Sequence, residues 1–440
     1  MRSFEFIVFL VLGALWLLGG GIVPARAALP PLTLEQAVEQ AHEKSPQLAR
    51  ARAAASEASW KPLEAISGNL PRLSASATHL FDVKYQFVDI NLGSPLSIPS
   101  VFPKTTLSLD ATWTIFDGLT SINAYRAALD LRDAARLEEE RAELQVDSST
   151  RLAFYKALSA QQLADVAAQN VKTLQEHSER VGVLLKQGKG TKYDSLRVEV
   201  QLSEALPEEL ASRDNVLLSR QALATEMGLP SDDRPIQGSL PEPDDKRLPE
   251  VLVPEPQSRA DIQALVHRAR ASGRAQSASI GALLPKLSLV GQKLFYNNVD
   301  YEISDTSHYR DAYSLGVALT WNLFDGGASI ARQRASVYQH DQAEAGADAA
   351  LLRAPQDLEL WKRRYHYNVA LYRARKQAIV AAQESVRLAK LGNQAGTRTN
   401  TDVLDSELDL FRSRAGAVRA QLDAAEALIN LELTLGRKLQ

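Results

Sequence analysis

Two carboxylates three residues apart, Asp402 and Asp405, follow a glycine turn in the stretch NQAGTRTNTDVLD at 393–405. On a helix that spacing sets both on one face. A place in the first turn puts them where the helix dipole favours negative charge. Arg398 lies just before them, and a second glycine turn, KQGKGTKYDSL at 186–196, brings Asp194 to the same place after Gly188 and Gly190. By residue type alone these are two helix starts with dipole-favoured, solvated carboxylates. Other chemistry-bearing patterns are missing. GKGTK at 188–192 lacks the spacing and the Lys-Ser/Thr ending of a phosphate loop. The seven histidines show no HExxH or paired ligand spacing, and Tyr365-His366-Tyr367 reads as packing or surface on a long helix. No serine sits in a nucleophile elbow. The expectation is a protein without catalytic residues, cofactor or metal.

The two turns join long helical segments. Residues 119–187 and 327–394 hold almost no Gly or Pro, and at about 1.5 Å per residue each would reach roughly 100 Å. Alanines such as Ala127, Ala128, Ala164 and Ala168 permit close helix approach, as in coiled-coil-like rods. Pro207 and Pro355 fall inside helical pattern, where kinks are expected. Before each rod the pattern changes to period two. Leu73, Ala75, Ala77, Phe81, Val83, Tyr85 and Phe87 share one face of a first strand, opposed by Ser74, Ser76, Thr78, Asp82, Lys84 and Gln86. Leu107, Leu109, Ala111, Trp113 and Ile115 share a face of a second, and Tyr313, Leu315, Val317, Leu319, Trp321 and Leu323 one of a fourth. Lys293 stands on the apolar face of a third, tolerable near a membrane edge and costly at its centre.

The strand endings repeat. WTIFDG at 113–118 returns as WNLFDG at 321–326, pairing Trp113, Phe116 and Gly118 with Trp321, Phe324 and Gly326 at an offset of 208 residues. That offset persists through Gly188 and Gly396, Asp194 and Asp402, and Glu199 and Glu407. Upstream it becomes 214, aligning Leu70-Pro71 with Leu284-Pro285, and the six-residue difference is assigned to an exposed loop, INLGSPLSIPS at 90–100. The expected organisation is a signal peptide over 1–27, a first repeat over 28–228, a Pro-rich linker over 229–258 and a second repeat over 259–440. Each repeat reads as helix, β-hairpin and long helical hairpin, which gives a mainly α fold with a small antiparallel β part.

Arg2, an apolar run from Phe6 to Leu18 and Ala25-Arg26-Ala27 have the order of a cleaved secretory signal, with Ala28 as the first mature residue. The chain has no cysteine, which excludes disulfides, thiolate sites and a lipidated Cys after the signal. Charge is nearly balanced, 50 basic against 53 acidic residues, so nothing advertises nucleic acid. After the signal no run of 18 apolar residues remains, so any membrane crossing must be a β-barrel. Four strands cannot enclose a lumen, since the smallest membrane barrels use about eight, and their open edges require other copies.

The signal, LTLEQAVEQAHEKSPQL at 32–48, the strand endings above and GTRTNTDVLDSELDL at 396–410 resemble the TolC family of outer-membrane efflux and secretion channels. The resemblance covers essentially the whole mature chain. It implies a homotrimer whose strands form a 12-stranded β-barrel in outer-membrane lipid, continuous with a long periplasmic α-helical barrel. It also implies two partners, a periplasmic adaptor (membrane fusion) protein and an inner-membrane transporter of RND, ABC or MFS type. Asp402 and Asp405 match aspartates that ring the periplasmic constriction in such channels. Arg398 and Asp194 match a gate salt bridge between neighbouring hairpins, and Gly188, Gly190, Gly396 and Thr397 fall in the tips where adaptors dock. An aromatic expected nine positions before Asp402 is Asn393 here. The function implied is a passive export duct gated at its tip. Residue pattern alone leaves two other readings, a periplasmic coiled-coil adaptor and a non-pore envelope structural protein.

Overall fold

The computed structural model describes residues 30–82, 87–91, 95–99, 103–248, 255–297 and 306–439. The signal segment, Val83 to Gln86 of the expected first strand and positions 249–254 of the linker lie outside the described residues.

Helix α1 (Leu34–Lys44) starts at Thr33, whose hydroxyl accepts from Gln36 N while the Gln36 side chain accepts from Thr33 N, closing a capping box. Helix α2 (Pro46–Ile66) begins on a proline, whose missing N–H is not needed in the first turn. Strand β1 (Arg72–His79), strands β2 (Phe87–Asn91) and β3 (Pro95–Pro99), and strand β4 (Thr105–Phe116) follow. Helix α3 (Thr120–Lys186) is 67 residues long and turns back into α4 (Lys192–Glu226). After the linker come α5 (Ala260–Gly281), β5 (Lys286–Asn297) and β6 (Arg310–Thr320). Last are α6 (Ala328–Gln394), also 67 residues, and α7 (Asn400–Leu435).

The helices form two hairpins, α3 with α4 and α6 with α7, which meet along α3 and α7; α2 and α5 lie against α3, and α5 also against α6. Among the described residues four apolar clusters hold this bundle, the smallest of them Ala41, Leu48 and Val146. One gathers Leu32, Phe154, Leu158, Leu223 and Met227, and a second gathers Tyr365, Val369, Leu428 and Leu431. A third lies towards the hairpin turns, with Val171, Leu174, Val181, Val198 and Leu404. The linker straps the bundle: Ile236 bridges Leu32 in parallel, Leu240 and Leu248 are buried, and Tyr365 Oη donates to Asp244 O at 2.8 Å.

Four strands make one antiparallel sheet in the order β1-β4-β5-β6, with Trp113 opposite Leu289 and Lys293 opposite Tyr313. Among the described residues β1 and β6 each leave one edge unpaired. Apolar alternation is displayed rather than covered: Tyr313, Leu315, Val317 and Leu319 are 82%, 83%, 65% and 69% exposed. Lys293 is paired on this surface, bonded to the Asp311 carboxylate and set over the Phe295 and Tyr313 rings at 5.3 and 5.9 Å. Those contacts offset the cost of a lysine among apolar neighbours.

Several expectations change. Positions 90–100 are not a plain loop, because β2 and β3 pair there as an antiparallel ribbon, with Ile90 opposite Leu96 and Val88 opposite Ile98. The prolines of β3 sit at the two ends of this ribbon, where a missing N–H costs least. Strand β1 ends at His79, with Phe81 92% exposed beyond it, so the long first strand is shorter than its alternation suggests. Strand β6 ends at Thr320, leaving Trp321 and Phe324 past the ladder, whereas Trp113 and Phe116 lie within β4. Helices α4 and α6 run unbroken across Pro207 and Pro355. Among the described residues no helix is long and apolar enough to cross a membrane.

Candidate functional site

The candidate residues fall at two places, the strand-to-helix junctions and the hairpin tips. At the first junction Asp117 accepts from Ser121 N at 2.9 Å and from the Ser121 hydroxyl, capping α3. Asp325 does the same for α6 through Ser329, at 3.0 Å from N and 2.6 Å from Oγ. Gly118 has φ +70°, and a Cβ there would lie 2.2 Å from Gly281 O, so α5 approaches the turn backbone to backbone. The indoles fix the angle of the sheet on the helices: Trp113 Nε1 donates to Asn69 O at 2.9 Å, and Trp321 Nε1 to Leu283 O at 3.1 Å. The repeated Trp and Phe-Asp-Gly residues therefore build two corners between sheet and rod.

The tips are built alike. Gly188 and Gly396 take left-handed φ of +70° and +75°, which ends α3 and α6 without a Cβ penalty. Gly190 N donates to Leu184 O at 3.1 Å, and Thr397 N to Gly392 O at 2.8 Å, closing the carbonyls of the preceding helix. Thr191 and Thr399 then cap α4 and α7, each in a capping box with the aspartate at its third helical position. Asp194 Oδ2 accepts from Thr191, and Asp402 Oδ2 accepts from Thr399 N and Oγ1, both at 2.8 Å. The Thr399 backbone N–H, then its hydroxyl and the nearby Arg398 charge hold the Asp402 carboxyl below its ordinary range. Asp402 is therefore a carboxylate well into mild acid. Asp405 lies three residues on and is exposed.

Arg398 is exposed, and its backbone carbonyl accepts from Asn393 Nδ2 at 3.1 Å. Asn393 thus closes its own turn, where an aromatic was expected. Within the chain Arg398 and Asp194 form no ion pair among the described residues. Gly188, Gly190, Gly396 and Thr397 all lie in the two tip turns.

Two clusters escaped the sequence reading. Beneath the tips His177 Nδ1 lies 3.0 Å from Glu407 Oε2, His177 Nε2 lies 2.6 Å from Asn400 Oδ1, and Lys390 Nζ lies 2.8 Å from Glu407 Oε1. Burial alone would push the Glu407 carboxyl up, but hydrogen bonds from His177 and Lys390 outweigh it and leave the group below its ordinary range. Midway along the bundle Arg151 Nη1 meets Glu432 Oε2 at 2.5 Å and Asp147 Oδ2 at 3.8 Å, and Lys438 reaches Asp147 at 3.1 Å. The available signal was a charged residue in an apolar helical stripe: Glu407 follows Val403 and Leu404, and His177 lies among Val171, Leu174 and Val181. Among the described residues no group of His and carboxylates could hold a metal.

Two long helical hairpins carrying a four-stranded antiparallel sheet are a fold shared with solved outer-membrane proteins. The outer membrane protein VceC of Vibrio cholerae superposes with a TM-score of 0.76 over 92% of this chain and 97% of its own, at 20% identity. Residues 255–437 match the family described as outer membrane efflux protein. The outer membrane efflux protein BepC of Brucella suis is 26% identical over 74% of this chain and 71% of its own length. The outer membrane protein TolC of Vibrio cholerae is also 26% identical, but the match spans only 35% of each chain. The chain is thus similar to the outer membrane efflux protein family over residues 255–437, and to TolC-like outer-membrane proteins in sequence and fold. It is an outer-membrane protein rather than an enzyme.

Proposed function

We propose that this protein is the outer-membrane channel-tunnel of a tripartite efflux or type I secretion system, a passive duct gated at its periplasmic tip. The observation that carries the reading is the sheet: four strands with apolar side chains on display and two open edges. Such a sheet is stable when other copies complete it and lipid covers it. Three copies of a four-stranded sheet give a 12-stranded barrel wide enough for a lumen, and a homotrimer is the assembly proposed. In it the 67-residue helices extend the barrel by roughly 100 Å across the periplasm. The two-repeat organisation, 28–228 and 259–440 around the strap, is supported by the equal lengths of α3 and α6 and by the matched tryptophan corners.

At the tip, Asp402 and Asp405 of three copies would form acidic rings that constrict the duct and favour cations. Arg398 reaches Asp194 of a neighbouring hairpin in this arrangement, a bond of about 0.2–1 kcal/mol if exposed, weak enough for an adaptor to open. The turns at Gly188, Gly190, Gly396 and Thr397 present the surface for that adaptor, and an inner-membrane transporter of RND, ABC or MFS type supplies the energy. The test is cell fractionation followed by mass measurement in detergent. The expected result is an outer-membrane protein extracted as three chains; a protein released without detergent as a monomer would overturn the reading.

A further inference from the structure

Resting on the duct reading above, we propose that Arg375, Arg412 and Arg419 form an anion-binding strip on the inner wall of the duct, which receives a cargo bearing carboxylate or phosphate groups. Arg375 belongs to α6, and Arg412 and Arg419 to α7; all three are exposed. A Cβ on Gly416 would lie 3.1 Å from Arg375 Nε and 3.4 Å from its Cζ, so this guanidinium lies close over the α7 backbone at Gly416. Gly416 is four residues past Arg412 and three before Arg419. At 3.6 residues per turn these α7 positions stand within about 60° of arc and about 10 Å of helix. The three arginines therefore share one strip.

The linker covers the other side of this wall. Gln421 Nε2 donates to Leu240 O at 3.0 Å, and Leu428 is buried in one cluster with Leu248. Gln421 is two residues from Arg419, about 200° around the helix. The same division holds on α6. Arg373 meets Asp245 at 2.7 Å and Asp244 at 3.5 Å, His366 meets Asp245 at 3.1 Å, and Lys376 meets Glu242 at 2.5 Å. Arg375 points about 200° away from Arg373. Among the described residues Arg375, Arg412 and Arg419 have no ion-pair partner. The acidic linker thus neutralises the basic groups on one face and leaves the guanidiniums on the other. Three copies of the linker inside a duct would obstruct it, so in the trimer the linker lies outside and the strip faces the bore.

The nearest carboxylates along α7 are Asp409, three residues before Arg412, and Asp423, four after Arg419. Neither pairs with the strip among the described residues. Burial and Glu426 raise the Asp423 carboxyl, and the Arg419 charge offsets only part of that. The donors of the strip are therefore open to a ligand. Each guanidinium presents five N–H groups in a fork that matches the paired oxygens of a carboxylate or phosphate. Gly416 lies about 24 Å along α7 from its start at Asn400, well beyond the tip aspartates. The aspartates act on small ions at the narrow entrance, and the strip acts on cargo already inside.

The test is single-channel current through the full-length protein in planar bilayers, with citrate or pyrophosphate added on the side of the sheet, so that either anion reaches the strip without passing the tip. Wild-type current is expected to be interrupted more often as the anion concentration rises. The triple variant Arg375→Gln with Arg412→Gln and Arg419→Gln should need about tenfold more anion for the same block, or more still. Arg412→Lys with Arg419→Lys keeps the charge and should keep most of the block. The single variants Arg412→Gln and Arg419→Gln, at exposed positions, should each weaken it severalfold and carry the test where the triple variant does not insert. Block by citrate alone assigns the strip to carboxylates, and block by pyrophosphate alone assigns it to phosphates. A current that neither anion interrupts, or a block unchanged in the arginine variants, would overturn the strip and leave the duct standing. A wild type that never conducts would overturn the duct reading, and the strip with it.

Discussion

Replacing Arg151 with methionine removes the cation at the centre of the bundle and leaves two carboxylates without it. The side chains of Arg151, Asp147 and Glu432 are 17%, 3% and 4% exposed. Among the described residues Glu432 then keeps only the Leu439 N–H, at 3.2 Å from Oε1, whereas Asp147 keeps Lys438, itself 59% exposed. Removing one partner of a buried pair costs about 3–5 kcal/mol. Lys438 retains part of the compensation, so the expectation is the lower end, about 3 kcal/mol or roughly a hundredfold in the folding equilibrium. Denaturant unfolding in detergent, followed by far-UV circular dichroism, measures it. The double variant Arg151→Met with Glu432→Gln no longer buries an unpaired charge at that position and should recover more than half of the loss. A single variant within about 0.5 kcal/mol of wild type, or a double variant as damaged as the single, would refute the reasoning.

The two corner glycines should differ although their backbones match. Gly118→Ala meets both a φ of +70° and the Gly281 carbonyl, whereas Gly326→Ala meets the same φ in open space, so thermal unfolding should fall clearly further for the first. The Asp423 carboxyl is raised above its ordinary range by burial and by neighbouring Glu426. Its ionised form is thus disfavoured in the fold, and stability is lost as pH rises from the ordinary carboxylate range through the raised value. Asp423→Asn should therefore raise the melting temperature at pH 7 and leave it unchanged at low pH. Glu407 has the opposite sign: its contribution is present above the ordinary glutamate range and disappears only as pH falls through its lowered value, so Glu407→Gln should flatten the most acid part of a stability profile.

The long elements were legible because their periods are long and uninterrupted. Helices α3 and α6 begin and end within a residue or two of the Gly- and Pro-poor stretches, and the strand faces follow the alternation of Leu107 to Ile115 and Tyr313 to Leu319. The offsets of 208 and 214 residues paired Trp113 with Trp321 and, by position, Asn69 with Leu283, and these are the residues that each indole joins. The ribbon of β2 and β3 was hidden because Gly93, Ser94, Pro95 and Pro99 outweighed the short alternation of Ile90, Leu96 and Ile98. The buried cluster beneath the tips was hidden for a different reason. His177 and Glu407 are 230 residues apart, and Glu407 aligns with Glu199, which is exposed on α4. Correspondence between the halves concealed that one glutamate of the pair is buried.

Single-channel recording in planar bilayers tests the central claim most directly, with wild type set against Asp402→Asn with Asp405→Asn. Asparagine keeps an oxygen for the Thr399 cap while removing the charge, so a change in selectivity cannot be ascribed to a frayed helix. The predicted result is a small, cation-preferring conductance in wild type that loses its preference in the double variant. A wild-type protein that inserts and never conducts would contradict the account.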